Sequence, residues 1–292
     1  MEPGTGIGDI ARELQRQPGL ARPAFYLQAF VRLNGFAPRL QAGEYAIAPG
    51  ATPRSLIEHI VAGRVIQHAL VVVEGWTFKQ LRWALAEHPK IVQTLQNASE
   101  AEIMARLGRP GEHPEGRFFP DTYHFPASTT DEAFLRRALA AMDRRLSDAW
   151  ERRAPDLALS EPYQALILAS IVEKETALPA ERPAIAGVFE RRLRKGMPLQ
   201  TDPTVIYGLG DAFDGDLRRR DLAADTPYNT YLRKGLPPTP IALPGAESLA
   251  ATVNPAAGDA LYFVATGEGG HTFSATLEEH NRAVKRYRAK TR

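Results

Sequence analysis

The sequence contains no cysteine among its 292 residues. Disulfide bonds, thiolate metal sites and cysteine nucleophiles are therefore excluded. Long hydrophobic runs are missing too, since the longest mostly apolar stretch, residues 165–172, is too short to cross a bilayer. The formal net charge is only +2, without the basic patch that is typical of nucleic-acid binding. What remains is an ordinary folded-protein composition, long enough for one large domain or two smaller ones.

Signatures of the common metal and cofactor sites are also missing. The 7 histidines are scattered, without the spacing of zinc ligands. The glycine-rich segment 267–270 lacks the lysine and the helix of a phosphate-binding loop. No Gly-x-Ser-x-Gly nucleophile elbow is present. We therefore expect neither a metal nor a cofactor.

Three similar segments occur in the N-terminal part, at residues 2–11, 48–57 and 73–81. Each joins a glycine turn to an amphipathic helical pattern, and extended patterns precede the last two at 45–47 and 70–73. The order predicts strand, tight turn and helix. It resembles the LysM module, which binds the N-acetylglucosamine-containing glycan of cell walls, although a generic α+β packing unit is the alternative. We expect an α+β fold, with a small LysM-like subdomain at residues 1–66 and a larger α+β domain at residues 67–292.

The larger part alternates helical and irregular segments. Helical patterns cover residues 131–153 and 161–196, the second interrupted by Pro179 and Pro183. Residues 197–255 are rich in glycine and proline and predict a long irregular segment, which in a compact domain is usually functional. A strand at 261–265 and a helix at 276–287 are expected to close the chain.

One helical segment has an apolar middle and carries two carboxylates near its end. Residues 163–172 are apolar on nearly all sides, so this helix is expected to be buried. Glu175 continues a hydrophobic face, whereas Glu173 lies about 200° away around the helix. A carboxyl group in apolar surroundings has a raised pKa, which a general acid for a glycosidic bond requires. The alternative is a helix-end ion pair with one of the basic residues Lys174, Arg182 and Arg191.

Several motifs follow one another in order along the chain. They include ASIVEKET at 169–176, GMPLQTDPTVIYG at 196–208, TPYNTY at 226–231, GLPPTPI at 235–241 and GGHTF at 269–273. Together they resemble the YceG-like family, also called MltG, of endolytic murein transglycosylases. In that family the catalytic acid is the glutamate directly before the threonine. The resemblance therefore implies that Glu175 is the catalytic acid, with Glu173 as the fallback candidate.

The resemblance also implies a reaction. The enzyme would cleave nascent peptidoglycan strands after N-acetylmuramic acid without water, leaving 1,6-anhydro ends and terminating elongation. Glu175 would protonate the glycosidic oxygen and then take the proton of the attacking C6 hydroxyl, so the usual second carboxylate can be absent. A hydrolytic muramidase and a non-catalytic peptidoglycan-binding scaffold of the elongation machinery are the alternatives.

The irregular segments are expected to form the substrate groove. Acetamidosugars need hydrogen-bond donors, acceptors and ring faces, and the residues expected to supply them are Gln200, Thr201, Asp202, Tyr207, Asn229, Thr230, Tyr231 and His271. Asp202, which precedes a proline, can instead cap a turn, and Asn229 can instead satisfy loop backbone.

The expected partners are peptidoglycan glycan strands, with peptidoglycan synthases of the elongation machinery as candidate protein partners and no nucleic acid. The family is anchored in the cytoplasmic (inner) membrane by one N-terminal helix, with the enzyme on the periplasmic or extracytoplasmic side. Residues 1–5 resemble the middle of a domain behind a start methionine. We therefore expect that a natural N-terminal segment carrying the anchor is absent from this chain, and that the anchor is its only membrane contact.

Overall fold

The structure is a computed structural model that describes residues 6–16, 24–48 and 50–290. These residues form helices and short strands, which confirms the expected α+β class. The described chain divides into two compact units, one drawn from residues 1–70, 88–94 and 122–131, the other from residues 71–87, 95–121 and 132–292. The expected division at residue 66 and the LysM-like character of the first part stay predictions. The first predicted repeat begins at residues 2–5, outside the described residues.

The first unit packs three helices around a small core. Its elements are α1 (Ile7–Arg16), α2 (Ala24–Leu33), α3 (Pro53–Val61), β1 (Gln67–Val71), β2 (Ile91–Val92), β3 (Thr122–Pro126) and β4 (Thr129–Thr130). Strand β1 pairs with β3, and β2 pairs in parallel with β4. Helix α3 begins with a capping box between Thr52 and Ser55 and with proline in its first turn. Val31, Ile57 and Ile60 are buried in its core.

The predicted strand–turn–helix pattern is found in part. After β1 the chain turns at Gly75, with φ of 77°, and enters α4 (Phe78–Glu87), as the third repeat predicts. The prediction of a strand at residues 45–47 is wrong, because the structure has no strand there. That segment is held instead by a side chain: the Tyr45 hydroxyl donates to the carbonyl of Gln41 at 2.8 Å.

The second unit is mainly helical. It contains α4, α5 (Glu100–Arg106), α6 (Asp131–Glu151), α7 (Pro162–Glu175), α8 (Arg182–Arg194), α9 (Asp202–Leu209), α10 (Arg219–Leu222), α11 (Ala246–Val253) and α12 (Leu277–Lys290), with strands β5 (Tyr262–Ala265) and β6 (His271–Ser274). Strands β5 and β6 form an antiparallel hairpin that pairs Phe263 with Phe273. The long helix, the interruption near Pro179, the late strand and the closing helix are confirmed.

Residues 197–255 contain more regular structure than predicted. The expectation of a long irregular segment is wrong, because α9, α10 and α11 lie within it. Proline was the misleading signal: Pro203 stands in the first turn of α9, where a missing N–H costs nothing. Helix α11 is short, and its buried Leu249 and Val253 pack in the main core.

Helix α7 lies at the centre of this unit, as its apolar sequence predicts. All residues from Ala165 to Val172 are buried, and α7 packs against both α8 and α11. The helix ends at Glu175, because Thr176 has an extended backbone with φ of −145°. A buried helix therefore delivers one carboxylate at its end. No helix in the described part of the chain combines the length and the apolarity needed to span a bilayer.

Candidate active site

Glu175 lies in a cleft of about 430 Å³ in the second unit. Thr201, the residue before α9, donates its hydroxyl proton to Oε1 of Glu175. Thr201 occupies the N-cap position of α9 but makes no capping bond with its side chain. Its hydroxyl therefore serves the carboxyl group of α7 rather than its own helix.

The surroundings of Glu175 favour its protonated form and raise its pKa towards neutral pH. Burial raises the pKa of its carboxyl group to about 7, against the opposing effect of the Thr201 hydroxyl. The negative charge of Asp202 raises this pKa further, whereas His271 and Arg192 lower it. A group with such a pKa can donate a proton and later accept one.

Arg192 of α8 connects two walls of the cleft by hydrogen bonds. Its Nε donates to the carbonyl of Leu261 at 2.7 Å, and its Nη1 donates to the carbonyl of Leu199 at 2.8 Å. The guanidinium also lies 5.1 Å from the ring centroid of Tyr262. One buried arginine thus joins the segment before α9 to the start of β5.

Gln200 lines the cleft with an unusual backbone. Its φ is 52°, in the left-handed region that a non-glycine residue rarely adopts. The conformation is held by a hydrogen bond from its N–H to the carbonyl of Thr230 at 3.0 Å. Strained residues of this kind cluster at functional sites, and Gln200 is next to Thr201.

Asp202 supplies a second carboxyl group to the cleft, at the start of α9. The Tyr231 hydroxyl donates to its Oδ1 at 2.5 Å. Tyr231 is held in turn by Asn229, whose Oδ1 accepts from the Tyr231 N–H at 2.9 Å. The cleft therefore contains two carboxyl groups, that of the half-buried Glu175 and that of the exposed Asp202.

The β5–β6 hairpin and α12 form the remaining wall. Its lining residues are Tyr262, Phe263, Val264, Ala265, His271, Leu277 and His280. His271 is fixed by Glu181, which accepts from its N–H at 2.8 Å and lies 2.7 Å from its Nδ1. This wall offers aromatic faces beside polar groups, which suits a sugar ring.

Glu173 has a different environment from Glu175. Its Oε1 accepts from Arg182 at 3.0 Å, and its Oε2 accepts from the Gly245 N–H at 2.9 Å. The side chains of Glu173 and Arg182 are only 5% and 7% exposed. For Glu173 the helix-end ion pair considered from the sequence is what forms.

Sequence comparison identifies the family. A model of the YceG-like family matches residues 1–286. The chain belongs to the YceG-like family. A protein of Bacillus subtilis (strain 168) named endolytic murein transglycosylase is 32% identical over 97% of this chain and 82% of its own length. A protein of the same name from Streptococcus pneumoniae (serotype 2, strain D39) is 28% identical over 96% of this chain, which spans 56% of that relative.

A solved structure agrees with the family assignment. The crystal structure of a YceG-like protein from Listeria monocytogenes superposes with a TM-score of 0.63 at 31% identity. The match covers 96% of this chain and 95% of that one. The family fold therefore extends over nearly the whole chain.

The cleft of this YceG-like chain brings together five of the residues expected from its sequence. They are Glu175, Gln200, Asp202, Tyr231 and His271. Thr201 lies beneath them, only 2% exposed, and reaches Glu175 through its hydroxyl. Thr230 lies behind it, where its Oγ1 accepts from the Thr201 N–H at 3.1 Å.

Two expected groove residues are placed elsewhere. Asn229 is fully buried, and its Nδ2 donates to the carbonyls of Leu222 and Ala224 at 3.0 and 2.7 Å. Its amide therefore satisfies loop backbone, the alternative considered from the sequence. Tyr207 lines a second cleft of about 720 Å³, where its hydroxyl donates to Oε2 of Glu115 at 3.1 Å.

Sequence reasoning missed several residues that line the cleft. They are Arg192, Leu199, the four residues of β5, Leu277 and His280. Arg192 stands in a basic run that reads as a solvated helix end, and β5 reads as an ordinary strand. A usable signal was that two further segments, residues 192–193 and 262–264, also resemble the YceG-like family.

Proposed function

We propose that this chain is an endolytic peptidoglycan lytic transglycosylase that cleaves after N-acetylmuramic acid and leaves 1,6-anhydro ends. The observation that carries the proposal is Glu175: a half-buried carboxyl group with a pKa raised to about 7, on the wall of a cleft. Relatives named endolytic murein transglycosylase match the chain over nearly its whole length. Both point to acid-assisted cleavage of a glycosidic bond in a cell-wall glycan.

Glu175 acts first as a general acid. The protonated carboxyl group donates its proton to the glycosidic oxygen while the bond to the anomeric carbon breaks, and positive charge develops on the sugar ring. The pKa of about 7 leaves a large fraction of Glu175 protonated at neutral pH. The bond from Thr201 orients the carboxyl group by engaging Oε1, so Oε2 is the oxygen proposed to deliver the proton.

The surrounding polar and aromatic groups hold the sugars. Gln200 and Asp202 offer an amide and a carboxylate to hydroxyl and acetamido groups, while Tyr231 and Tyr262 offer ring faces. The C6 hydroxyl of the muramic acid residue then attacks its own anomeric carbon. This intramolecular attack forms the 1,6-anhydro bond and needs no water.

A hydrolytic muramidase is the second candidate, and one observation favours it. Asp202 is a second carboxyl group in the same cleft, and hydrolysis of glycosides generally uses two such groups, one of which activates water or acts as nucleophile. Tyr231 already occupies one oxygen of Asp202, at 2.5 Å. That bond orients Asp202 as a binding group, which is why transglycosylation is the first choice.

We also infer where the reaction takes place. Peptidoglycan lies outside the cytoplasmic membrane, so an enzyme acting on it works on the periplasmic or extracytoplasmic side. Anchoring by a preceding N-terminal helix and contact with peptidoglycan synthases complete the proposal, both implied by the family. Expression with a preceding apolar helix, followed by membrane fractionation, tests the anchor.

Product analysis of digested glycan strands tests the function. The purified chain is incubated with uncrosslinked strands, and the released fragments are weighed by mass spectrometry. Anhydro-muramic ends support transglycosylation, whereas reducing ends, heavier by one water, support the muramidase. Intact strands with the parental protein would overturn both enzymatic assignments and leave a binding or scaffold role. Glu175→Gln is the matched control for contaminating activity.

A further inference from the structure

His271 is held at the cleft by both oxygens of a single carboxylate. Its N–H donates to Oε1 of Glu181 at 2.8 Å, and its Nδ1 lies 2.7 Å from Oε2 of the same residue. Glu181 stands in the short turn between α7 and α8, whereas His271 begins β6. Two contacts from one residue to the other fix both the position and the orientation of the imidazole ring.

The ionisation of Glu181 determines which ring nitrogen carries the proton. Burial acts to raise the pKa of Glu181, but the hydrogen bonds from the His271 ring and backbone outweigh it and hold this pKa below its ordinary value. Glu181 is therefore an acceptor at neutral pH, and Nδ1 of His271 is the donor. In the neutral ring this leaves the lone pair on Nε2, which is free to accept a proton.

The ring belongs to the same cleft as the catalytic acid. His271 and Glu175 both line it, and positive charge on His271 lowers the pKa of Glu175. Phe263 packs edge-on against the imidazole, with ring centroids 5.4 Å apart and planes at 88°. The hydroxyl of Thr176, the residue after Glu175, donates to Glu181 at 3.4 Å. The pair is thus joined to the end of α7 that carries the acid.

We propose that His271, oriented by Glu181, is the catalytic base that takes the proton from the attacking hydroxyl. This inference rests on the proposed function. Glu175 gives its proton to the glycosidic oxygen as the bond to the anomeric carbon breaks. The C6 oxygen forms the new bond to that carbon, and its proton passes to Nε2 of His271. The carboxylate of Glu181 stabilises the imidazolium, and exchange with solvent restores both groups. A carboxylate–imidazole pair performs the same proton transfer in unrelated hydrolases.

Three other arrangements compete with this assignment. The resemblance implies the first, in which the deprotonated Glu175 takes the proton itself. The second uses Asp202, which lies in the same cleft, but one of its oxygens is engaged by the Tyr231 hydroxyl and its charge raises the pKa of Glu175. The third is a purely structural pair, in which His271 and Glu181 only fasten the hairpin to the turn after α7. The variants below test His271 as the base against these three.

His271→Asn is the decisive variant. The amide nitrogen of asparagine can occupy the place of Nδ1 and keep the bond to Glu181, but no atom replaces the base at Nε2. We expect glycan cleavage to fall by about 100- to 10,000-fold, the usual contribution of a general base, with the thermal midpoint unchanged. His113→Asn, a histidine lining the second cleft, is the matched control and should cleave at the parental rate.

Chemical rescue supplies the second readout. His271→Ala leaves a hole, and imidazole added to the buffer should restore cleavage at least tenfold, since a free base can take the place of the missing ring. A structural pair predicts no rescue. Binding of uncleaved strands is measured in the Glu175→Gln background, where adding His271→Asn should weaken affinity far less than it slows cleavage in the parental background.

The outcomes distinguish this inference from the proposed function. Parental cleavage by His271→Asn overturns the base assignment while leaving Glu175 as the acid. Loss of activity in His271→Ala without rescue by imidazole also overturns it. If His271→Ala does not fold, His271→Asn alone decides. If the parental protein does not cleave glycan at all, the proposed function itself fails.

Discussion

Two glutamates in the second unit, Glu115 buried and Glu175 half-buried, have the same raised pKa and different surroundings. Burial raises the pKa of both Glu175 and Glu115 to about 7. Glu115 accepts from the Phe78 N–H at 2.9 Å and from the Tyr207 hydroxyl at 3.1 Å, and it is only 3% exposed. Glu175 has one oxygen bonded to Thr201 and shares its cleft with another carboxyl group and a histidine.

The difference shows that a raised pKa alone does not mark a catalytic acid. Glu115 is the acceptor that joins the start of α4 to Tyr207 of α9, so its bonding capacity is used within the protein. In Glu175, Oε1 is bonded to Thr201 and Oε2 remains available to a ligand. We therefore propose the acid role for the group whose neighbours remain available to a substrate.

The largest expected effect separates the two glutamates by activity. Glu175→Gln preserves shape and hydrogen bonding but cannot deliver a proton, so cleavage should fall at least about 100- to 10,000-fold. Glu115→Gln should retain activity within about tenfold, an allowance for the misplacement of α9 through Tyr207. The rate of fragment release from glycan strands measures both. Equal losses of cleavage rate in the two variants would contradict the assignment of Glu175, rather than Glu115, as the acid.

The neighbouring glutamate sharpens the assignment. Glu173→Gln should cost far less activity than Glu175→Gln but more stability, because Arg182 loses a buried partner and is left with the more exposed Glu247 at 2.7 Å and Glu74 at 3.6 Å. Thermal denaturation should show a lower midpoint for Glu173→Gln, whereas Glu175→Gln should be as stable as the parent or more so. Inactivity of a well-folded Glu173→Gln, combined with an active Glu175→Gln, would mean that the acid is Glu173.

A third test moves the pH dependence of cleavage in two directions. The general acid must be protonated, so activity should fall as pH rises above about 7, the pKa of Glu175. The Thr201 hydroxyl lowers this pKa and the charge of Asp202 raises it. Thr201→Val should therefore shift the basic limb to higher pH, and Asp202→Asn should shift it to lower pH. Rate–pH profiles measure the shifts, and movement of both variants in one direction would contradict the assignment.

The smallest expected effect concerns stability. The folded-state pKa of Glu115, about 7, exceeds the ordinary value of 4.5, so between these values the folded protein holds a proton that the unfolded chain releases. The contribution of Glu115 to stability is therefore complete below pH 4.5 and is lost as pH rises to about 7. It is at most about 3.5 kcal/mol, since one pKa unit corresponds to about 1.4 kcal/mol.

Urea unfolding at pH 5 and pH 8 measures this contribution. Between pH 5 and pH 8 the free energy of unfolding should fall in both proteins. The fall should be larger in the parental protein than in Glu115→Gln. If the free energy of unfolding falls equally in the variant and the parent, Glu115 is not the group responsible for the pH dependence. Glu175→Gln serves as the comparison, because it removes the other carboxyl group with the same raised pKa.

The sequence predicted the features that depend on local pattern. The apolar run in α7 predicted that the helix is buried. Helical spacing predicted that Glu175 and Glu173 lie on different faces of the helix and have different surroundings. Local sequence patterns could not predict contacts with residues from distant segments of the chain. Arg192 reads as one of several helix-end arginines, and only folding brings it against Leu199 and Tyr262. Asn229 and Tyr207 have the right chemistry for a groove, but tertiary packing turns them to the loop interior and to the second cleft.

Proline and short strands account for the other differences. The proline content of residues 197–255 predicts an irregular segment, although Pro203 lies in the first turn of α9, and residues 45–47 alternate like a strand without forming one. In both cases the local signal was real, and its meaning depended on where in an element the residue falls.

The backbone of Gln200 implies an exchange between stability and activity at a single residue. A non-glycine residue held at φ of 52° carries a cost on the order of 1 kcal/mol. Glycine at this position would remove that cost and would also remove the amide that accepts from Arg192 at 3.3 Å. Selection for thermal robustness alone would therefore favour glycine here, and selection for cleavage would favour glutamine.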